Sequence, residues 1–164
     1  MSRCPPKPGR SVMFLFFGAE EQAVAGSDYY INHPVFPLEK TAALINMEGP
    51  GIGDKISVLA GKNFPDFYAF LEKANSRYIH RVIEASFFVN IARPRQDTAR
   101  FLWKGVPSVT VGAEETVPVK RPPSYHNTRD NLDPITPEIM EDIAQLLFAA
   151  IMDMSDEPAL DFRK

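Results

Sequence analysis

Three short stretches of this sequence hold the side chains best suited to chemistry. Glu20-Glu21 directly follows an apolar run, Glu48 closes the next such run in Asn46-Met-Glu-Gly49, and His126 lies in Tyr125-His-Asn-Thr-Arg-Asp130. Two adjacent carboxylates repel each other and invite a cation, although glutamates in a first helical turn also compensate the helix dipole. An acid after a strand can equally be the solvated start of a loop, and a lone loop histidine is often exposed and without a role. Taken together, Glu20, Glu21, Glu48 and His126 offer oxygen and nitrogen donors of the kind that zinc and similar divalent ions accept. Asp130, on the same loop as His126, is placed to accept the ring N–H that a metal-bound imidazole usually donates. His33 beside Pro34 and His80 beside Arg81 are assigned no role.

Other chemistries lack their signatures. The sequence contains no HExxH, no Cys-x-x-Cys, no G-x-S-x-G elbow and no Walker phosphate loop. Gly49-Pro-Gly-Ile-Gly53 superficially resembles a dinucleotide fingerprint, but the strand-like Lys55–Leu59 follows it, so no helix N-terminus awaits a pyrophosphate. It reads as a loop beside the site.

The elements that must position these residues follow from hydrophobic pattern. Ser11–Phe17 is a continuous apolar run, which predicts an interior strand covered on both faces. Glu20–His33 then has helical spacing, with Ala23, Val24, Ser27, Tyr30 and Ile31 inward until Pro34 stops it. Thr41–Met47 and Lys55–Ala60 read as the next two strands. Asn63 is the expected cap of a helix running to Asn75, with Pro65 in its first turn and Phe67, Phe70, Leu71 and Ala74 on one face. A short strand is expected over Ala85–Ile91, a short helix over Thr98–Lys104 ending at Gly105, and a strand over Ser108–Gly112. Ala113–Asp133, with Pro118, Pro122 and Pro123 and no periodicity, predicts a long irregular loop. The last helix begins with Thr136 as cap and Pro137 at its first position, and buries Ile139, Ile143, Leu146, Leu147, Ala150 and Ile151. Strands alternating with helices predict a three-layer α/β/α sandwich with a mixed, largely parallel sheet, whose chemistry gathers at strand carboxyl ends. One domain spans 1–164, with 1–10 a flexible lead-in and 155–164 frayed.

Composition narrows the partners. The 164 residues are 45% hydrophobic and 24% charged with a net charge of -3, which gives no cationic surplus for nucleic acid. No apolar run approaches the roughly 20 residues of a membrane span, and the opening ten residues lack the apolar core of a signal peptide. The single cysteine, Cys4, excludes an internal disulfide and a Cys-rich zinc site. The compartment is not legible from these features.

The words Phe16-Phe-Gly-Ala-Glu-Glu21, Gly26-Ser27-x-Tyr29-Tyr30, Ala43-Leu-Ile-Asn-Met-Glu48 and Tyr125-His126-Asn-Thr128 recur in this order in a known family. The sequence resembles the co-catalytic di-zinc aminopeptidases, a metallopeptidase family that includes plasma glutamate carboxypeptidase, the glutaminyl cyclases and the protease-like domain of transferrin receptor. The resemblance spans nearly the whole chain. It implies a peptide or aminoacyl substrate and zinc as cofactor, with two ions in the complete family site. It also implies that Glu20 is the general base, that Glu21 and His126 ligate one zinc, and that Glu48, where the family usually has Asp, ligates the other. By the same resemblance Asp97, Tyr125 and Asp130 stand behind the ligands, Asp97 matching a Ser-Asp-x-x-x-Phe stretch in which Gln96 replaces the serine. Family members are frequently exported.

The family also carries a His-x-Asp strand and an Asp-Asn loop ahead of the Glu-Glu motif, and residues 1–10 contain no His, Asp or Glu. The chain is therefore expected to correspond to the C-terminal two-thirds of such a domain, with fewer than two zinc ions or none. An uncovered sheet edge would then favour a homo-oligomer. Two alternatives stand beside the aminopeptidase: a non-catalytic binding or assembly domain with a degenerate metal site, and a single-zinc acyltransferase resembling glutaminyl cyclase.

Overall fold

The computed structural model describes residues 8–89, 95–116, 126–128 and 130–163. Its elements are α1 (Ala25–Asn32), β1 (Leu44–Met47), β2 (Lys55–Leu59), α2 (Pro65–Ala74), β3 (Ile83–Ser86), α3 (Thr98–Trp103), β4 (Ser108–Glu114) and α4 (Pro137–Asp156). The four strands form one mixed sheet in the order β1-β4-β2-β3. β1 runs parallel to β4 and β3 parallel to β2, whereas β2 and β4 are antiparallel.

Side-chain alternation along β4 divides the molecule into layers. Val109 and Val111 point into the larger core with Ile56 and Val58 of β2, where they meet Phe67 and Leu71 of α2 and Ile139, Ile143 and Leu146 of α4. Thr110 points to the opposite face and shares a 2.6 Å hydroxyl contact with Thr98 of α3. On that face Ile31 of α1, Phe101 of α3 and Val106 form a smaller core. The α/β/α sandwich is thus as the sequence predicts. Among the described residues no helix is long and apolar enough to cross a membrane.

The predicted strand over Ser11–Phe17 is not one. Strand identity requires a ladder partner, and this segment pairs with none of the described strands, including β1 at the sheet's edge. It keeps the alternation of a strand all the same. Leu15 and Phe17 pack on the smaller core, and Phe17 lies 5.9 Å from both Tyr30 and Phe101. Phe14 and Phe16 point to solvent, 79% and 95% exposed.

Four further boundaries differ. The first helix starts at Ala25 instead of Glu20, because Ala23 and Val24 adopt left-handed φ values of 58° and 55° that no helix continues. Asn63 does not cap α2. Phe64 holds that position, while the Asn63 Oδ1 accepts the Phe88 backbone N–H at 2.8 Å. β3 begins at Ile83, ahead of the expected Ala85, and residues 90–91 of that expectation lie outside the described residues. Ala113 and Glu114 belong to β4, while 117–125 and 129 of the predicted long loop fall outside the description.

Neither end behaves as expected where it is described. α4 continues to Asp156, and Phe162 beyond it is buried, stacked on Phe67 with ring centroids 4.6 Å apart. Leu160 packs on the same core, and Arg163 donates to the carbonyls of Leu38 and Thr41, so the tail is docked by several contacts. Residues 1–7 of the predicted flexible lead-in, Cys4 among them, lie outside the described residues, but Gly9 and Arg10 are anchored. The Arg10 guanidinium donates to the carbonyls of Met154, Ser155 and Glu157, at and just beyond the end of α4, where carbonyls run short of intrahelical donors.

Candidate functional site

Glu20 and Glu21 sit on a tight turn between the extended segment and α1. The turn closes through Gln22 N–H to Ala19 O at 3.1 Å and Val24 N–H to Glu20 O at 2.8 Å. Its geometry is costly. Val24 is a fully buried β-branched residue in the left-handed region, a conformation persisting only where surrounding packing enforces it. Gly26 is required by close approach, since a Cβ there would lie 2.3 Å from the Gly18 carbonyl oxygen. The sequence-level signal was the Phe-Phe-Gly-Ala-Glu-Glu word, but the strained backbone beneath it was not visible.

Glu48 stands just beyond the carboxyl end of β1. Its N–H donates to Val111 O, and Ala113 N–H donates to Gly49 O, so the residue rides on β4 on either side of Gly112. A Cβ at Gly112 would lie 2.2 Å from the Glu48 carbonyl oxygen, which excludes any side chain there. The Glu48 carboxylate accepts from Asn46 Nδ2 at 3.1 Å. Its pKa is pushed up to about 7, first by burial and then by the charge of Glu20, with Asp97 adding to the effect and the Asn46 and Gln96 hydrogen bonds opposing it.

His126 approaches from the loop before α4, itself in a left-handed conformation with φ 58°. Its Nε2 lies 2.6 Å from Glu21 Oε1. Two of the sequence-predicted residues, distant in the chain, therefore meet. Glu20 lies close enough to feel Glu21, Asp97 and His126. Burial foremost, then the two carboxylates, raise its pKa above the usual carboxylate range, and His126 pulls it back.

Asp97, at the N-terminal end of α3, is 7% exposed, and its Oδ1 has no hydrogen-bond partner among the described residues. A buried carboxylate oxygen left unsatisfied is costly and marks a place where a charged or donor group is wanted. Asp130 is exposed, its N–H closing a turn onto Asn127 O at 3.1 Å. Tyr125 lies outside the described residues.

The donors present suit zinc in type, but a catalytic zinc takes about three protein ligands. Among the described residues no three His, Cys, Asp or Glu side chains converge as a metal site requires. Glu21 and His126 make a pair, with Glu20, Glu48 and Asp97 as charged neighbours. The described site is thus a Glu–His contact inside a carboxylate cluster, and it does not by itself complete a zinc centre.

Gln96 was singled out from the sequence only as a departure, yet it links two parts of the site. It accepts from the Thr110 hydroxyl at 2.9 Å and hydrogen-bonds Glu48. Beside it opens a cleft of about 250 Å³, bounded by Glu48, Ser57, Ser86, Thr110 and Glu114 among others. The Gly49–Gly53 loop borders the site as expected, pinned to α4 by Thr136 N–H donating to Gly51 O at 2.8 Å.

Residues 2–151 match peptidase family M28. A search of curated proteins finds no match. Among solved structures, the zinc aminopeptidase BSAP of Bacillus subtilis superposes with a TM-score of 0.74 at 19% identity, over 89% of this chain and 37% of its own. The LapA aminopeptidase of Legionella pneumophila superposes at 0.68 with 18% identity, over 87% of this chain and 38% of its own. An aminopeptidase from Aneurinibacillus sp. strain AM-1 does so at 0.65 with 22% identity, over 89% and 34%. At such identities the likeness establishes the fold. The chain spans well under half the length of each of these proteins.

Proposed function

This chain belongs to peptidase family M28, and from that premise we propose that it carries the general base and part of the ligand set of a zinc-dependent aminopeptidase, which hydrolyses N-terminal peptide bonds. The observation that carries the reading is the 2.6 Å contact between Glu21 and His126, set among the carboxylates of Glu20, Glu48 and Asp97. Glu21 and His126 hold one zinc and Glu48 belongs to a second, with the remaining ligands supplied from outside the described residues. Zinc, when bound, polarises a carbonyl and makes water nucleophilic near neutral pH.

The chain's own residues do the rest. The Glu20 carboxylate takes a proton from the attacking water and delivers it to the leaving amine, a role helped by a pKa raised toward the working pH. Asp97 and Asp130 orient these groups, and Tyr125 stands with them. The substrate is a peptide or aminoacyl compound. The net charge of -3 provides no phosphate-binding surface for nucleic acid. The exposed Phe14 and Phe16, together with an edge of β1 that pairs with no described strand, favour self-association.

Glu20→Gln tests the assignment. Hydrolysis of a chromogenic leucyl amide should fall by about 10²–10⁴-fold while zinc binding is retained. Hydrolysis unchanged in the variant would remove Glu20 from the mechanism. Conversion of N-terminal glutamine to pyroglutamate, with leucyl amides left intact, would favour the cyclase-like alternative. Absence of both activities would leave the binding domain.

A further inference from the structure

β4 fixes the backbone of Glu48, but the carboxylate lies beyond several rotatable bonds, so other groups must set where its oxygens point. Asn46 of β1 and Thr110 of β4 are register partners and project to the same face of the sheet, the face that α3 covers. Two amides reach the Glu48 carboxylate there. Asn46 Nδ2 donates to Oε2 at 3.1 Å, and Gln96, just ahead of α3, supplies a second hydrogen bond.

The direction of these bonds follows from counting hydrogens. An ionised carboxylate only accepts, so Gln96 turns its Nε2 toward Glu48 and its Oε1 toward Thr110. The Thr110 hydroxyl uses its single hydrogen on that Oε1, at 2.9 Å. The hydrogen in the 2.6 Å contact between the Thr110 and Thr98 hydroxyls therefore comes from Thr98. With Thr98 fully buried and Thr110 5% exposed, the order is set by the protein's own groups. The result is a one-way chain: the Thr98 hydroxyl donates to the Thr110 hydroxyl, Thr110 to the Gln96 carbonyl, and the Gln96 amide to Glu48. Each bond in such a chain polarises the next.

We propose that Gln96 is a positioning residue for Glu48. Oriented by the Thr98–Thr110 hydroxyl pair, its amide holds the carboxylate against Asn46 and leaves the remaining lone pairs for the site. The functional meaning rests on the aminopeptidase reading, in which Glu48 is a ligand. Glu48 and Gln96 are also the two departures from the family words noted in the sequence, Glu for Asp and Gln for Ser, and in the fold they meet. The longer acid is matched by an amide long enough to reach it.

The test reads the hydrogen bond and the reaction separately. In zinc-free, nitrogen-15-labelled protein at pH 8, the Gln96 side-chain amide resonances are identified by their loss in Gln96→Met. They should shift in Glu48→Ala and in Thr110→Val, and move back toward their original positions in Thr110→Ser, which restores the hydroxyl. With zinc present, hydrolysis of a leucyl amide should fall about 10–100-fold in Gln96→Met and in Thr110→Val, as is usual when a partner behind a metal-binding carboxylate is lost. Thr110→Ser should recover most of that loss. Amide resonances unmoved by Glu48→Ala or by Thr110→Val, or hydrolysis unchanged in Gln96→Met, would overturn the proposal. The two readings fail separately. Zinc-dependent hydrolysis with an unresponsive amide would leave the peptidase standing without this positioning role. A responsive amide in a parent chain that hydrolyses nothing would remove the aminopeptidase reading and leave Gln96 as the residue that holds Glu48.

Discussion

Replacing Glu48 with glutamine should stabilise the zinc-free fold above neutral pH and leave it unchanged in acid. The carboxyl is half-buried at the end of β1, beside Glu20 and Asp97, and its pKa is raised from 4.5 to about 7 chiefly by burial. Folding therefore favours the protonated form. Below pH 4.5 the carboxyl is protonated in both folded and unfolded chains and carries no penalty. As the pH rises from 4.5 through about 7, the unfolded chain releases its proton first, and stability is progressively lost until the folded carboxyl has also ionised. At about 1.4 kcal/mol per pH unit across that interval, a fully buried group would cost about 3 kcal/mol. Screening by solvent on the exposed part reduces this to about 1–2 kcal/mol. Glutamine keeps an oxygen to accept from Asn46 and removes the charge, so Glu48→Gln should raise stability at pH 8 by about that amount. For a domain of this size that is about 3–6 °C in Tm. Urea unfolding with a chelator present, at pH 4 and pH 8, measures it directly. A variant no more stable than the parent at pH 8 would refute the buried-charge argument, and an equal gain at both pH values would show a packing effect instead.

Gly112→Ala should cost about 2–3 kcal/mol and lower Tm by about 5–10 °C, because its Cβ would lie 2.2 Å from the Glu48 carbonyl oxygen and backbone must move; an unchanged Tm would show that β4 and Glu48 are not so closely seated. Phe162→Ala should lose about 2–4 kcal/mol and increase hydrogen exchange in α2, since its ring stacks on Phe67 in the larger core. Stability and exchange identical to the parent would mean that the tail does not dock.

Much of the scaffold was legible because hydrophobic period and punctuation agree along the chain. Pro137 opens α4, Gly105 at φ 75° ends the turn after α3, and Ile56, Val58, Phe67, Leu71, Ile139, Ile143 and Leu146 are buried as their spacing demands. The expectations that failed depend on partners that local sequence does not encode. Ser11–Phe17 has a strand's composition but no ladder to join, and Asn63 has a cap's chemistry but a stronger acceptor role toward Phe88. The left-handed pair Ala23–Val24 is invisible in residue types that normally propagate a helix. For the site, motif order pointed to Glu21 and His126, which the structure brings together. The roles of Gln96 and Gly112 emerge only from the folded arrangement.

Zinc content tests the central claim most directly. After dialysis against trace zinc, metal analysis of the purified chain should find bound zinc that is lost in both His126→Ala and Glu21→Ala, with circular dichroism unchanged in each. Zinc retained at the same level in both variants, or no zinc held by the parent chain, would contradict the assignment of this ligand pair.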